Sequence, residues 1–215
     1  MKENLTELIF ILDKSGSMSG LEKDTIGGFN SLIEKQKKED GDVLVTTVLF
    51  NEKMEIINDR KDINDINPLT DKEYFVCGCT ALLDAIGQTI NHVKHVQESM
   101  EESQRPSKTL FVITTDGMEN SSREYTYQKI KKLIDLVKEK DKYEFIFLGA
   151  NIDSEEEAAK LGIDKDQAVN FKNDSAGIEI NYCALDMAIK SVRVGKKLTK
   201  AWRKTIDEDI EKRGK

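Results

Sequence analysis

The sequence predicts an α/β fold, with a mostly parallel central sheet, one antiparallel edge strand and helices on both faces. Three observations predict it. Strand-like apolar runs alternate with amphipathic helical patterns along the chain. Two of the runs, residues 8–12 and 109–114, are nearly unbroken in apolar residues, as expected of parallel strands covered on both faces. Oxygen-bearing side chains stand just after those runs, at the rim where open α/β sheets bind ligands.

The 215 residues are enough for one large α/β domain with a full core. Charged residues make up 34% and hydrophobic ones 38%, with two prolines, an ordinary globular composition. A net charge of −7 and a pI near 5.1 argue against broad binding to nucleic acid or to an anionic membrane surface. The start, Met1-Lys2-Glu3-Asn4, has no secretion-signal pattern and no apolar run approaches a membrane span, so a cytoplasmic protein is expected. The three cysteines are an odd number, with Cys77 and Cys79 too close for an easy disulfide; reduced thiols follow.

In chain order, residues 8–12 form the first strand. Residues 21–38 form a helix with Leu21, Ile26, Phe29, Leu32 and Ile33 on its apolar stripe and lysines at its C-terminal end. Gly27 and Gly28 weaken its middle, and either permit close packing on the sheet or mark a bend. The β-branched run 43–50 turns at Asn51-Glu52-Lys53 into a second run, 54–57, a hairpin that supplies the antiparallel edge. Thr80 opens a helix through about residue 100, with Leu83, Ile86, Ile90, Val93 and Val96 buried. Residues 98–108, with Pro106, form a surface loop. A central strand over 109–114, a helix over 125–140, a buried strand over 145–148, a short helix over 154–161 capped by Ser154 and a last strand over 168–171 complete the alternation. The tail, 178–212, is helical and charge-rich, with Trp202 as a possible anchor for a partner.

The chemistry is concentrated where the first strand ends. Ile9-Phe10-Ile11-Leu12-Asp13 runs into Lys14-Ser15-Gly16-Ser17, delivering one carboxylate and two hydroxyls to the rim. These hard oxygen donors suit magnesium, manganese or calcium rather than zinc or copper. Two further donors stand at equivalent junctions: Thr80, within Cys77-Gly78-Cys79-Thr80-Ala81, and Asp116, which follows the run 110–115 and precedes Gly117. Sheet topology brings Asp13, Ser15, Ser17, Thr80 and Asp116 to one rim.

The order D-x-S-x-S, then Thr80, then Asp116-Gly117 resembles the metal-ion-dependent adhesion site of the von Willebrand factor A domain family. The resemblance covers about residues 5–171. Gly27-Gly28-Phe29-Asn30 and Phe147-Leu148-Gly149-Ala150-Asn151 are similar to the stand-alone bacterial and phage members. Cys79 departs from the glycine that many relatives carry before the threonine. The resemblance implies a Rossmann-like domain over 1–175, followed by a helical segment, 176–215, packing on it or extending from it. It also implies that Ser15, Ser17 and Thr80 coordinate a cation, with Asp13 and Asp116 binding largely through water in the ligand-bound form. Magnesium wants six oxygens at about 2.0–2.1 Å, so a position left to water can accept an acidic side chain, Asp or Glu, from a partner protein.

Other features have two readings. D-x-S-x-S alone also fits a capped helix start. His92 and His95 stand one helical turn apart without an acidic or cysteine partner at ligand spacing, which favours solvated helix-face histidines. Cys77 and Cys79 fit either an oxidation sensor or small loop residues. Asn151 and Asp153 either shape specificity at the rim or form a turn and a helix start, and Glu119 and Asn120 have the same ambiguity. The runner-up function is a magnesium-dependent phosphoryl-transfer enzyme of the aspartyl-phosphate phosphatase type. Against it, Ser15 stands where such enzymes want a second aspartate, and no P-loop is present. A scaffold with a vestigial metal site is the third reading. No catalytic residue is expected.

Overall fold

The computed structural model describes residues 1–213; Gly214 and Lys215, the end of the expected segment 176–215, lie outside the described residues. The strands are β1 (Lys2–Asp13), β2 (Asp42–Phe50), β3 (Met54–Asp62), β4 (Pro106–Thr115), β5 (Glu144–Gly149) and β6 (Ala168–Asn170). The helices are α1 (Glu22–Gln36), α2 (Leu82–Ser99), α3 (Tyr127–Lys140), α4 (Ser154–Leu161), α5 (Ser175–Arg193) and α6 (Lys204–Arg213). The sheet order is β3-β2-β1-β4-β5-β6, with every neighbouring pair parallel except β2 and β3.

β1 is central, paired to β2 and β4 through most of its length. Its side chains alternate between faces. Leu8, Phe10 and Leu12 join Phe29, Leu32 and Ile33 of α1 and Leu185 and Ile189 of α5. Ile9 and Ile11 join Ile86 and Ile90 of α2 and Ile130 and Ile134 of α3. Both faces are thus covered, which is why the run reads as apolar rather than alternating. The connection from β1 leads to one side of the sheet and the chain returns on the other side as β4, so the carboxyl ends of β1 and β4 frame a switch point.

Several local expectations need correction. β3 runs to Asp62 instead of stopping at residue 57. Its polar half, including Arg60 with φ of 48°, is carried by pairing with β2 across register shifts; an edge strand needs no second apolar face. The expected loop 98–108 contains a 3-10 turn, Glu102–Gln104, and β4 already starts at Pro106, where a first strand residue needs no amide donor. α2 begins at Leu82 rather than Thr80. The cap of α4 is Asp153, whose carboxylate accepts from the Glu156 amide at 2.9 Å, not Ser154.

The C-terminal stretch is two helices rather than one. α5 starts behind an Asp174 cap and ends near Gly195, whose φ is 75°. Arg193 donates to the carbonyls of Gln36, Glu39, Asp40 and Gly41 at 2.7–3.2 Å, holding the turn between α1 and β2. Trp202 is 7% exposed and its indole N–H donates to the Asp166 carbonyl at 3.0 Å. It packs in the core under α6, so it does not offer an anchor to a partner. Gly28 serves close packing, though against a helix: a β-carbon there would lie 2.1 Å from the Tyr182 ring of α5, whereas one on Gly27 would meet nothing within 4 Å.

Candidate metal centre

Asp13 is the last residue of β1 and is buried. Its Oδ1 accepts from the Ser15 amide at 2.7 Å and its Oδ2 from the Thr115 hydroxyl at 2.6 Å. Its carbonyl accepts from the Tyr74 hydroxyl at 2.5 Å. The side chain is therefore held by the loop that follows it and by the end of β4, and its backbone by Tyr74. Ser15 and Ser17 follow in a tight 3-10 turn, Gly16–Met18, with their hydroxyl oxygens 3.1 Å apart. Ser17 then donates to Asp116 Oδ1 at 2.5 Å. The first and third segments expected from the sequence thus meet.

Thr80 reaches the same place from the loop before α2. Its amide donates to Asn120 Oδ1 at 2.9 Å, and its carbonyl accepts from the Asn120 amide at 3.0 Å. Gly117 measures the closeness: a β-carbon there would lie 3.2 Å from Ser17 Oγ and 3.6 Å from Thr80 Oγ1. Both hydroxyls therefore face the small space beside the β4 terminus, and a larger residue at 117 would fill it. Gly78, at φ of 79°, lends its carbonyl to the Gly16 amide at 3.0 Å, joining the cysteine-bearing loop to the serine turn.

The charge balance of the cluster is unusual. Burial pushes the carboxyls of Asp13 and Asp116 above the ordinary carboxylate value, against the hydrogen bonds that oppose it, and the Asp116 charge adds to the effect on Asp13. No basic side chain pairs with either among the described residues. Lys14, next in sequence, pairs with Glu55 at 3.0 Å instead. Two buried carboxyls and three hydroxyls without a protein cation fit a hard divalent ion in donor chemistry and in charge. No group of three His, Cys, Asp or Glu side chains able to hold a metal occurs among the described residues, so the hydroxyls are needed for any such site here.

Sequence reasoning missed Asn173, Thr115 and Tyr74. Asn173, in the loop before α5, donates to Asp116 Oδ2 at 3.2 Å. Its signal was position: a polar residue just past β6, on the same rim. The pairs with two readings all take part in local structure. Glu119 accepts from the Leu83 amide at the start of α2 at 2.9 Å, and Asn120 fixes Thr80. Asn151 sits at φ of 57°, a turn conformation, and Asp153 caps α4. His92 does have an acidic partner, Asp59 on β3, at 2.9 Å; the strand neighbour was invisible in helix spacing. Cys77, Cys79 and Cys183 are free and exposed.

Comparisons with known proteins agree with the fold. No curated protein matches the sequence. Among solved structures, pilus adhesin SpaC from Lactobacillus rhamnosus GG, in an open conformation, has a TM-score of 0.65 at 11% identity, covering 89% of this chain and 30% of its own. Proximal thread matrix protein 1 from the mussel byssus, with a zinc-occupied MIDAS motif, has a TM-score of 0.60 at 14% identity, covering 87% of this chain and 46% of its own. A von Willebrand factor type A protein from Catenulispora acidiphila gives 0.55 at 15% identity, with 88% and 43% covered. This chain spans less than half the length of each, and at these identities the likeness establishes the fold. The model of the von Willebrand factor type A domain matches residues 7–182, and the chain belongs to that family.

Proposed function

We propose that the rim site is a metal-dependent docking point for a partner protein. Ser15, Ser17 and Thr80 would hold a divalent cation with their hydroxyl oxygens, and Asp13 and Asp116 would complete the sphere, largely through water. The observation that carries this reading is the meeting of two buried carboxyls and three hydroxyls from three separate segments, with no basic side chain paired to the carboxyls among the described residues. When bound, the cation supplies a coordination position that an outside carboxylate can take. Neutral hydroxyls leave most of its charge uncompensated, which favours an acidic residue, Asp or Glu, on the partner.

Hard donors favour magnesium, then manganese or calcium. The zinc-occupied motif in the mussel protein adds zinc to the ions worth testing. Catalysis is not part of the proposal: Ser15 bonds Ser17, which donates to Asp116, and these hydroxyls are assigned to the ion as ligands rather than to a substrate as nucleophiles. Free, exposed cysteines support a reducing compartment such as the cytoplasm. No helix among the described residues is long and apolar enough to cross a membrane, and the net charge of −7 disfavours nucleic acid.

The test is calorimetric titration of magnesium, manganese, calcium and zinc onto the wild type and Thr80→Ala, alongside partner capture from cell extract with and without chelator. The expected result is binding that Thr80→Ala weakens at least tenfold, with capture lost in parallel. A wild-type chain that takes up none of these ions would sink the reading. Magnesium-dependent turnover of a phosphorylated substrate, abolished in Asp13→Asn, would replace it with an enzyme.

A further inference from the structure

Two of the free, exposed cysteines stand on one loop with a single residue between them. Cys77 and Cys79 are both held by the turn between β2 and β3. The Asn51 side-chain amide donates to the Cys77 carbonyl at 3.1 Å and to the Cys77 Sγ at 3.3 Å, and the Glu52 carboxylate accepts from the Cys79 amide at 3.2 Å. Gly78, between them, has φ of 79°, so the chain turns there. Two Cα atoms that flank one residue lie at most about 7 Å apart in an extended chain, and a turn at the middle residue shortens that toward the about 4.4–6.8 Å that a disulfide spans. The ring closed by such a bridge is small and strained, and strained, exposed disulfides are the ones that form and break reversibly.

Cys79 also lines a cleft of about 420 Å³ formed by that turn, the start of α2 and residues 121–124. The acidic groups of the cleft are engaged. Glu52 holds the Cys79 amide, Asp84 accepts from the amides of Arg123, Glu124 and Tyr125 at 2.7–3.0 Å, and Glu124 accepts from Gln88 at 2.9 Å. Its cations, Lys53 and Arg123, are exposed and form no ion pair among the described residues. A cleft with a thiol in its wall and two unpaired cations suits a small disulfide that carries carboxylates.

We infer that Cys77 and Cys79 form a reversible dithiol–disulfide couple, oxidised by a small carboxylate-bearing disulfide of the glutathione class that the cleft beside Cys79 receives. In the first step the Cys79 sulfur attacks one sulfur of the small disulfide, forming a mixed disulfide and releasing one small thiol, which takes the Cys79 proton. In the second the Cys77 sulfur, oriented by Asn51, attacks the Cys79 sulfur, closing the bridge and releasing the second small thiol with the Cys77 proton. The two cysteines lose two electrons and two protons, and the small disulfide gains them as two thiols. Excess small thiol reverses both steps. The bridge constrains the Gly78 peptide group from both sides, and the Gly78 carbonyl accepts from the Gly16 amide at 3.0 Å, so closure acts on the residue that joins this loop to the serine turn. The couple itself requires no ion at the rim.

The test treats the reduced full chain with glutathione disulfide in chelator, blocks the remaining thiols by alkylation at intervals and locates the products by peptide mass spectrometry. The expected result is joint loss of the Cys77 and Cys79 thiols as one internal bridge, with Cys183 outside it, and full recovery in reduced glutathione. Cys77→Ser should stop at a lasting mixed disulfide on Cys79. In that background, Lys53→Gln with Arg123→Gln should slow the reaction with glutathione disulfide about threefold or more, the scale of two exposed charge contacts, and should not slow the reaction with cystamine, a small disulfide that carries amines instead. The Gly16 amide resonance of the wild type should shift as the bridge closes. A wild-type chain that accumulates mixed disulfides without bridging, charge variants that react with glutathione disulfide at the unaltered rate, or a Gly16 resonance indifferent to bridging would overturn the inference.

Discussion

Asn173 donates its side-chain amide to Asp116 Oδ2 at 3.2 Å, joining the loop in front of α5 to the end of β4. Asp116 Oδ1 is meanwhile engaged by Ser17 at 2.5 Å, so both carboxylate oxygens are oriented before any ion arrives. Partners that orient a metal-binding carboxylate commonly change metal affinity by about 10–100-fold. Asn173→Ala should therefore weaken magnesium binding by about tenfold or more in a calorimetric titration, with little change in the melting of the metal-free chain. An unchanged affinity would make the contact incidental.

Thr115 offers a complementary case in the interior. Its hydroxyl, buried, donates to Asp13 Oδ2 at 2.6 Å. Thr115→Val keeps the shape and leaves that oxygen without its donor, a loss of about 1–3 kcal/mol. Urea denaturation in chelator should show this deficit. Saturating magnesium at a hundredfold excess over its Kd adds about 2.7 kcal/mol to a protein that binds it only when folded; the variant should gain less than the wild type at equal magnesium. An equal gain would separate Thr115 from the metal centre.

The glycine pair in α1 predicts opposite signs at adjacent positions. Gly28→Ala would drive a methyl into the Tyr182 ring, 2.1 Å away, and should cost about 1–3 kcal/mol by overpacking. Gly27→Ala meets nothing within 4 Å and should stabilise the helix by about 0.5–1 kcal/mol. Thermal melts of the two variants decide it, and a Gly28→Ala variant as stable as the wild type would show that α5 can move away from α1.

A pH-dependent prediction comes from Glu7, buried on β1 and paired with Arg60; Gln97 also donates to it at 2.9 Å. Burial raises its carboxyl above the ordinary 4.5, outweighing the opposing pull of Arg60 and Gln97. The folded chain thus holds the Glu7 proton more tightly than the unfolded chain. Stability from this group is present below about pH 4.5 and is lost as pH rises through the raised native value. Arg60→Met removes the main opposing charge and should cost about 3–5 kcal/mol at pH 7.5, a deficit that shrinks on acidification toward pH 4. Glu7→Gln should stay within about 1 kcal/mol of wild type at neutral pH. Denaturation series at both pH values test this; a deficit for Arg60→Met that is constant with pH would mean that the charge of Glu7 is not what Arg60 opposes.

The legible parts of the molecule were those whose physics is local in sequence. β1 and β4 announced themselves because strands covered on both faces must be apolar throughout, and Asp13, Ser15, Ser17 and Asp116 stood at their ends. Helix α3 was visible as a stripe. β3 was underestimated because its outer half, Asn58-Asp59-Arg60, is an edge whose pairing comes from β2 and leaves no periodic trace. Trp202 looked available because a charge-rich tail reads as solvated; its burial depends on the turn before α6 folding back so that the indole N–H reaches the Asp166 carbonyl. Asn173 follows the expected last strand, but it could not be placed without knowing that the loop after that strand turns inward toward Asp116.

Arg193 adds a matter of timing. Its guanidinium is the donor for the carbonyls of Gln36, Glu39, Asp40 and Gly41, main-chain groups made early in translation. The family match ends at residue 182, before the arginine. A ribosome extruding this chain from its N-terminus therefore releases the α1–β2 turn long before the residue that satisfies it, and the first crossover remains provisional until α5 has emerged and docked. The unit that folds is longer than the unit that is recognised, and a fragment cut at the family boundary would carry that early turn permanently unfinished.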